Sequence, residues 1–291
     1  MDREVHATAG QEAGATDGEP APKSMRSSTK PMVSAKKAAR YFKVNGVPNA
    51  FGPGQFTIRT CLVAASVPFV KFTNRLVFSA RVGRICLWWG GTVLAMGTFA
   101  RFTRELIEGE VATFDNGILL RVAKIRTPSL TSAAIDVTAL GSSAMVILLS
   151  GFALLVLLAI RDRRGALQMF LASAGAGILT FITKNMIERA RPVDVNQLVV
   201  VSGFSYPSGH SVSTSALYLT IAIIGCRYVR RASARATMVL AAFVVSVLVA
   251  ASRVYLGVHY ATDVLSGLSL GVAWALLLTG LFTLHAHRRD G

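Results

Sequence analysis

Long apolar runs separated by short clusters of arginine dominate the chain from residue 85 onward. Six of them approach the roughly 20 residues that a helix needs to cross a bilayer: about Ile85 to Ala100, Val137 to Ile160, Ala166 to Thr183, Ser211 to Cys226, Thr237 to Ala251 and Val264 to Leu284. The pattern ahead of them is different. Residues 1–50 are rich in Ala, Gly, Pro, Ser and Lys and carry too little apolar surface to offset the entropy of ordering, so they are expected to form a disordered cytoplasmic tail. Residues 51–82 are apolar but interrupted by Pro68, Lys71 and Arg75, which predicts an amphipathic interfacial segment. The expected fold is therefore all-α: a six-transmembrane-helix bundle over residues 83–287 with a disordered N-terminal tail and interfacial helices. One of the latter is expected in VATFDNGILLRVAKI, Val111 to Ile125, lying along the outer surface.

Charge sets the orientation. Arg161, Arg163 and Arg164 follow the second run, Arg227, Arg230, Arg231 and Arg235 the fourth, Arg288 and Arg289 the sixth, and Arg81 and Arg84 precede the first. In a six-span chain all of these fall on one face, which the positive-inside rule makes cytoplasmic together with both chain ends. Against it stand Arg101, Arg104, Arg121, Lys124 and Arg126 on the other side, accompanied by Glu105, Glu108, Glu110 and Asp115. The polar first residues predict no signal peptide, so the first span is its own insertion signal.

A hydrophobic share of 52% with a mean hydropathy of +0.50 excludes an ordinary soluble domain of this length. The net charge of +16 raises nucleic acid as a partner. The arginines punctuate apolar runs instead of forming one basic face, so none is expected. Cys61, Cys86 and Cys226 lie far apart without metal-ligand spacing, so no metal site is expected from them. Small residues recur in SAGAG (Ser173 to Gly177) and GLSLG (Gly267 to Gly271), a spacing that lets helices approach closely.

Two segments are not explained by packing: KNMIERARP leading to YPSGH between the third and fourth runs, and SRVYLGVHYATD between the fifth and sixth. Both should emerge on the outer face. An ionic residue inside a span costs roughly 2.5–3.5 kcal/mol on insertion scales, so each needs a reason. Lys184 and Arg191 are seven apart, on one face if the third helix runs on to Pro192. With Arg253 they form a cation cluster that requires an anion, and guanidinium forks suit phosphate oxygens. Ser208 falls near an N-cap, with Gly209 leaving backbone N–H groups accessible at a helix start. His259 and Asp263, four apart on a helix, allow the carboxylate to hold one imidazole nitrogen and free the other as a nucleophile. Gly257 is the expected break that brings Arg253 and His259 into one pocket. His210, titrating near neutrality, suits the protonation of a leaving oxygen. Glu188 lies between Lys184 and Arg191 and is expected to turn aside or pair with Arg189.

These segments match K-x6-RP (Lys184 to Pro192), PSGH (Pro207 to His210) and SR-x5-H-x3-D (Ser252 to Asp263). The chain thereby resembles the type 2 phosphatidic acid phosphatase (PAP2) superfamily, its membrane lipid phosphatase branch, a superfamily that also holds vanadium haloperoxidases and glucose-6-phosphatase. The resemblance implies that His259 forms a phosphohistidine, Asp263 orients it and His210 protonates the leaving group. It also implies that Lys184, Arg191, Ser208, Gly209 and Arg253 hold the phosphate, with no metal and no cofactor. The expected partners are a membrane lipid phosphate or diphosphate and the bilayer: phosphatidic acid, phosphatidylglycerol phosphate, undecaprenyl diphosphate or a lipid A phosphate. No oligomeric state is expected in particular. The site is placed on the periplasmic face of a bacterial inner membrane. A vanadate-dependent haloperoxidase-like enzyme and a non-enzymatic anion or lipid transporter are the rival classes; a transporter has no need of a His/Asp pair beside a second histidine.

Overall fold

The computed structural model describes residue 83 and residues 86–287. The expected tail at 1–50, the interfacial segment at 51–82, Cys61, Arg81, Arg84, Arg288 and Arg289 lie outside the described residues. All regular structure among the described residues is helical, as expected: α1 over 86–107, α2 (Ala112–Lys124), α3 (Pro128–Ala139), α4 (Ser143–Ala159), α5 (Arg163–Ile187), α6 (Gly209–Gly225), α7 (Ala232–Tyr255) and α8 (Ala261–His287). The short helix expected within 111–125 is α2.

Three helices, α5, α7 and α8, are long and apolar enough to cross a membrane, and a fourth crossing arises if α3 and α4 form one broken span. α5 alone, at 25 residues, rises about 37 Å against a hydrocarbon core of about 30 Å. α4 and α6 have 17 residues each. The chain is an integral membrane protein, with three or four spans by this measure among the described residues.

The apolar run expected as one helix over 137–160 is instead two helices bent by 43°. Local caps set where each of the two helices starts, and a close approach lies at the break between them. Thr127 caps α3 by accepting a bond from Leu130 N–H, and Pro128 opens it at a position where no N–H is needed. Ser142 restarts the chain by capping α4 through Met145 N–H. Between them lies Gly141, where a Cβ would meet Val249 Cγ1 at 2.6 Å and His210 Cδ2 at 3.1 Å. A side chain here would therefore press on α6 and α7.

α6 is the centre of the bundle, packed against α4, α5, α7 and α8. Val146, Leu157, Met169, Leu217 and Ile224 join α4, α5 and α6, while Ala176, Val212, Ala216 and Leu270 join α5, α6 and α8. The glycines of GLSLG make the second contact close. A Cβ on Gly267 would sit 2.7 Å from Ser208 O, and one on Gly271 would sit 2.4 Å from Val212 O. Leu119 of α2 packs with Ala250, Val254 and Val264 of α7 and α8. The C-terminal ends of α5 and α7 and the N-terminal ends of α6 and α8 meet at one rim of this bundle.

Candidate active site

The rim is built by two connections. α5 stops at Ile187, because Glu188 takes a left-handed conformation (φ 50°) and its N–H donates to Lys184 O. The expected continuation to Pro192 does not occur, which corrects the idea that Lys184 and Arg191 share a helix face. The proline disfavours helical geometry at Arg191, so the chain leaves the helix and Arg191 reaches back from the loop. Glu188 is exposed; it turns aside, and Arg189 pairs with other carboxylates. In the second connection, Gly257 at φ 75° ends α7, as expected, and His259 stands in the turn before α8.

The two loops are stitched together by backbone bonds: Leu198 N–H donates to Leu256 O, and Ser208 N–H to Asp263 O, each at 3.0 Å. Side chains complete the junction. Arg191 donates from Nη1 to Val258 O (2.8 Å), from Nε to Gly203 O (2.9 Å) and from Nη2 to Ser202 O (3.0 Å). The same Nη1 lies 3.4 Å from His259 Nε2. Lys184 donates from Nζ to Phe204 O. Arg253 is 4% exposed and donates from Nη1 to Thr138 Oγ1 (3.0 Å), while its Nε has no partner in the protein. Ser208 holds the N-cap position of α6 without capping it; its buried hydroxyl also lacks a partner. At Gly209 a Cβ would come within 3.3 Å of Thr180 Cγ2. His210, in the first turn of α6 and half-buried, lies within electrostatic reach of Arg253, His259, Arg191 and Lys184. Each of the eight site residues expected from the sequence is therefore at this rim.

His259 and Asp263 adopt an arrangement different from the expected pair on one helix. His259 precedes α8, and its Nδ1 is 3.5 Å from Asp263 Oδ2. The Ser205 hydroxyl donates to that same Oδ2 at 2.5 Å and lies 3.3 Å from His259 Nδ1. Tyr260 N–H adds a second hydrogen bond to Oδ2 (2.9 Å). The carboxylate side of the imidazole is thus filled, and Nε2 is left on the side of Arg191. Burial pushes His259 down to about 4, against the pull of Asp263, so the imidazole is neutral at physiological pH.

Sequence reasoning missed three residues of this junction. Ser205 lies three positions before Ser208, so the PSGH segment brings it to the rim. Arg189 is two residues before Arg191 and pairs with Asp263 (2.6 Å) and Asp115 (2.7 Å). Burial alone would lower this guanidinium, but Asp263 and Asp115 outweigh it and hold it above its ordinary value. Asp115, expected to be a surface counter-charge, is fully buried, one helical turn from the fully buried Leu119. That one-turn spacing from an apolar residue is the trace it leaves in the sequence.

A membrane protein whose described residues form only helices, with a buried His/Asp pair beside cations, is the class this geometry defines. The PAP2 superfamily model matches residues 165–285. Phosphatidylglycerophosphatase B of Bacillus subtilis is 37% identical over 171 residues, covering 58% of this chain and 84% of that protein. An undecaprenyl-diphosphatase of Sulfolobus acidocaldarius is 28% identical over 43% of this chain and 58% of its own length. Among solved structures, a transmembrane PAP2-type phosphatidylglycerolphosphate phosphatase from Bacillus subtilis superposes with a TM-score of 0.62 at 32% identity, covering 65% of this chain and 94% of that one. The chain belongs to the PAP2 superfamily and is a phosphatase of that type.

Proposed function

We propose that the protein hydrolyses a phosphate monoester or diphosphate of a membrane lipid through a phosphohistidine on His259. Nε2 of the neutral imidazole attacks phosphorus while the bond to the leaving oxygen breaks, and His210 protonates that oxygen. Water then attacks the phosphohistidine, giving its proton to His210 and releasing inorganic phosphate and free His259. Lys184, Arg191, Arg253, the Ser208 hydroxyl and the backbone at Gly209 hold the phosphate oxygens. Stabilising the charge that develops on those oxygens is how such donors contribute most to phosphoryl transfer.

The observation that carries this reading is the contact of Arg191 Nη1 with His259 Nε2 at 3.4 Å, with two buried donors, Ser208 Oγ and Arg253 Nε, lacking protein partners in the same cluster. A buried donor left unpaired costs about 1–3 kcal/mol. An oxyanion that accepts from both removes that cost.

The bundle completes six crossings in this reading, with α1, the α3–α4 pair and α6 joining the three long helices. The exposed Arg161, Arg163, Arg164, Arg230, Arg231 and Arg235 at the far end support a cytoplasmic placement of that end and of both termini. The rim then faces outward, on the periplasmic side of a bacterial inner membrane, at the level of lipid headgroups. Among candidate lipids, phosphatidylglycerol phosphate comes first, because the relative covered over 84% of its length is a phosphatidylglycerophosphatase; phosphatidic acid, undecaprenyl diphosphate and lipid A phosphates follow.

Purified protein in detergent should release phosphate from one of these lipids without added metal and with chelator present. His259→Ala should abolish release while eluting and melting as the parent does. Full turnover in His259→Ala would remove the nucleophile; activity lost to chelator and restored by magnesium would remove the metal-free mechanism.

A further inference from the structure

Arg189 divides its guanidinium between two carboxylates from different helices, and neither contact belongs to phosphate binding. Nη1 donates to Asp263 Oδ1 at 2.6 Å and Nη2 to Asp115 Oδ2 at 2.7 Å. Thr262 closes the gap between them: its N–H donates to Asp115 Oδ1 (2.9 Å), and its hydroxyl donates to Asp115 Oδ2 (2.5 Å) while accepting from Arg189 Nη1 (2.8 Å). The guanidinium lies over the Tyr260 ring, with Cζ 4.1 Å from its centre, and the Arg189 carbonyl accepts the Ser205 N–H at 2.7 Å. Both carboxylates are fully buried, and the Arg189 side chain is 13% exposed.

We propose that Asp115 of α2 is a positioning residue for the reaction, acting on Asp263 through Arg189 and thereby on His259. This rests on the assignment of His259 as nucleophile. The inference follows from how the oxygens of Asp263 are divided. Oδ2 serves Ser205 and the Tyr260 N–H on the histidine side, so the orientation of the carboxylate depends on what holds Oδ1. That holder is one nitrogen of an arginine fork, and a fork gripped at one tine can rotate. Asp115 grips the other. Without it, Arg189 would be free to turn toward the phosphate site, where it would compete with Arg191 for the anion and leave Oδ1 unheld. Asp115 also lies outside residues 165–285 that match the superfamily model, so α2 contributes to the site from beyond that region.

The test is a mutant cycle on kcat with the full-length enzyme in detergent. Asp115→Asn is expected to lower kcat by roughly 10- to 100-fold, the scale of a small misplacement of reacting groups, with KM and inhibition by orthovanadate each within about threefold. If Asp115 acts through Asp263, the double variant Asp115→Asn/Asp263→Asn is no slower than Asp263→Asn alone. Losses that multiply in the double variant, or an unchanged kcat in Asp115→Asn, would overturn the proposal. Should Asp115→Asn fail to fold, Thr262→Val removes the bridging hydroxyl and keeps every charge; its kcat should fall about 3- to 10-fold, again without further loss in the Asp263→Asn background, and additive losses would overturn the proposal equally. His259→Ala separates the two failures. If it keeps turnover, the nucleophile assignment is wrong; if it is inactive while Asp115→Asn is not impaired, only the positioning role is wrong.

Discussion

Where α5 and α7 begin, Arg163, Arg164, Arg231 and Arg235 are exposed, and the amide and the carboxylate beside them are paired. The Gln168 amide donates to Thr279 Oγ1 at 3.0 Å and accepts from Arg227, while Asp162 takes the Gly165 N–H at 2.8 Å and the Tyr228 hydroxyl at 2.7 Å. Where the same two helices finish, Arg253, Asp263, His259 and Asp115 are all less than 5% exposed. There, Ser208 Oγ and Arg253 Nε find no protein partner. Exposed charge costs little and serves topology. Buried charge is destabilising unless paired or given a ligand, and a fold that keeps it has organised it for chemistry.

That contrast can be broken by mutation. Arg253→Ala at the rim should lower kcat/KM by roughly 10²–10³-fold, the scale of losing one preorganised donor to a developing charge. Arg231→Ala at the opposite end should leave phosphate release within about twofold, and equal losses at the two ends would erase the distinction. A smaller effect is expected from Ser205→Ala. A hydrogen bond to a charged group is worth about 1.5–3 kcal/mol, which corresponds to a kcat lowered by about 10- to 100-fold with KM little altered. A raised KM with unchanged kcat would place Ser205 in binding instead.

At the other end the effect should be on stability alone. Asp162→Ala removes the α5 N-cap, worth about 1 kcal/mol, so the melting temperature in detergent should fall while turnover per folded molecule is retained; a kinetic defect at constant melting temperature would count against two separable ends. The subtlest difference is in protonation. With His259 pushed down to about 4 from an ordinary value near 6.5, the unfolded chain binds a proton over that window and the folded site does not. This group therefore costs the fold stability as pH drops from about 6.5 to about 4. ¹⁵N resonances of the imidazole should titrate near 4 in the unliganded protein, and a midpoint near 6.5 would mean that the rim is wetter than the structure makes it.

Much of this rim was legible in the chain because its members lie at fixed offsets: Lys184 and Arg191, Pro207 to His210, Ser252 to Asp263. Gly257 announced its own left-handed turn. The local geometry between those points was harder to read. The apolar run through 137–160 hid a bend at Gly141, since hydropathy reports burial in lipid and is blind to the neighbour that presses on a backbone. The end of α5 at Ile187 was signalled by Pro192, five residues too late to place it.

Periodicity and composition determined by themselves that this is a membrane-embedded helical chain, and its spaced motifs determined which chemical groups it carries, because both are properties of nearby residues. Tertiary structure alone decided that Asp115 is buried against Arg189, that Ser205 stands between imidazole and carboxylate, and that Arg253 and Ser208 keep a donor unpaired. Those outcomes depend on helices far apart in sequence docking at one rim, and the free energy of burying a charge is set by what the docking brings beside it.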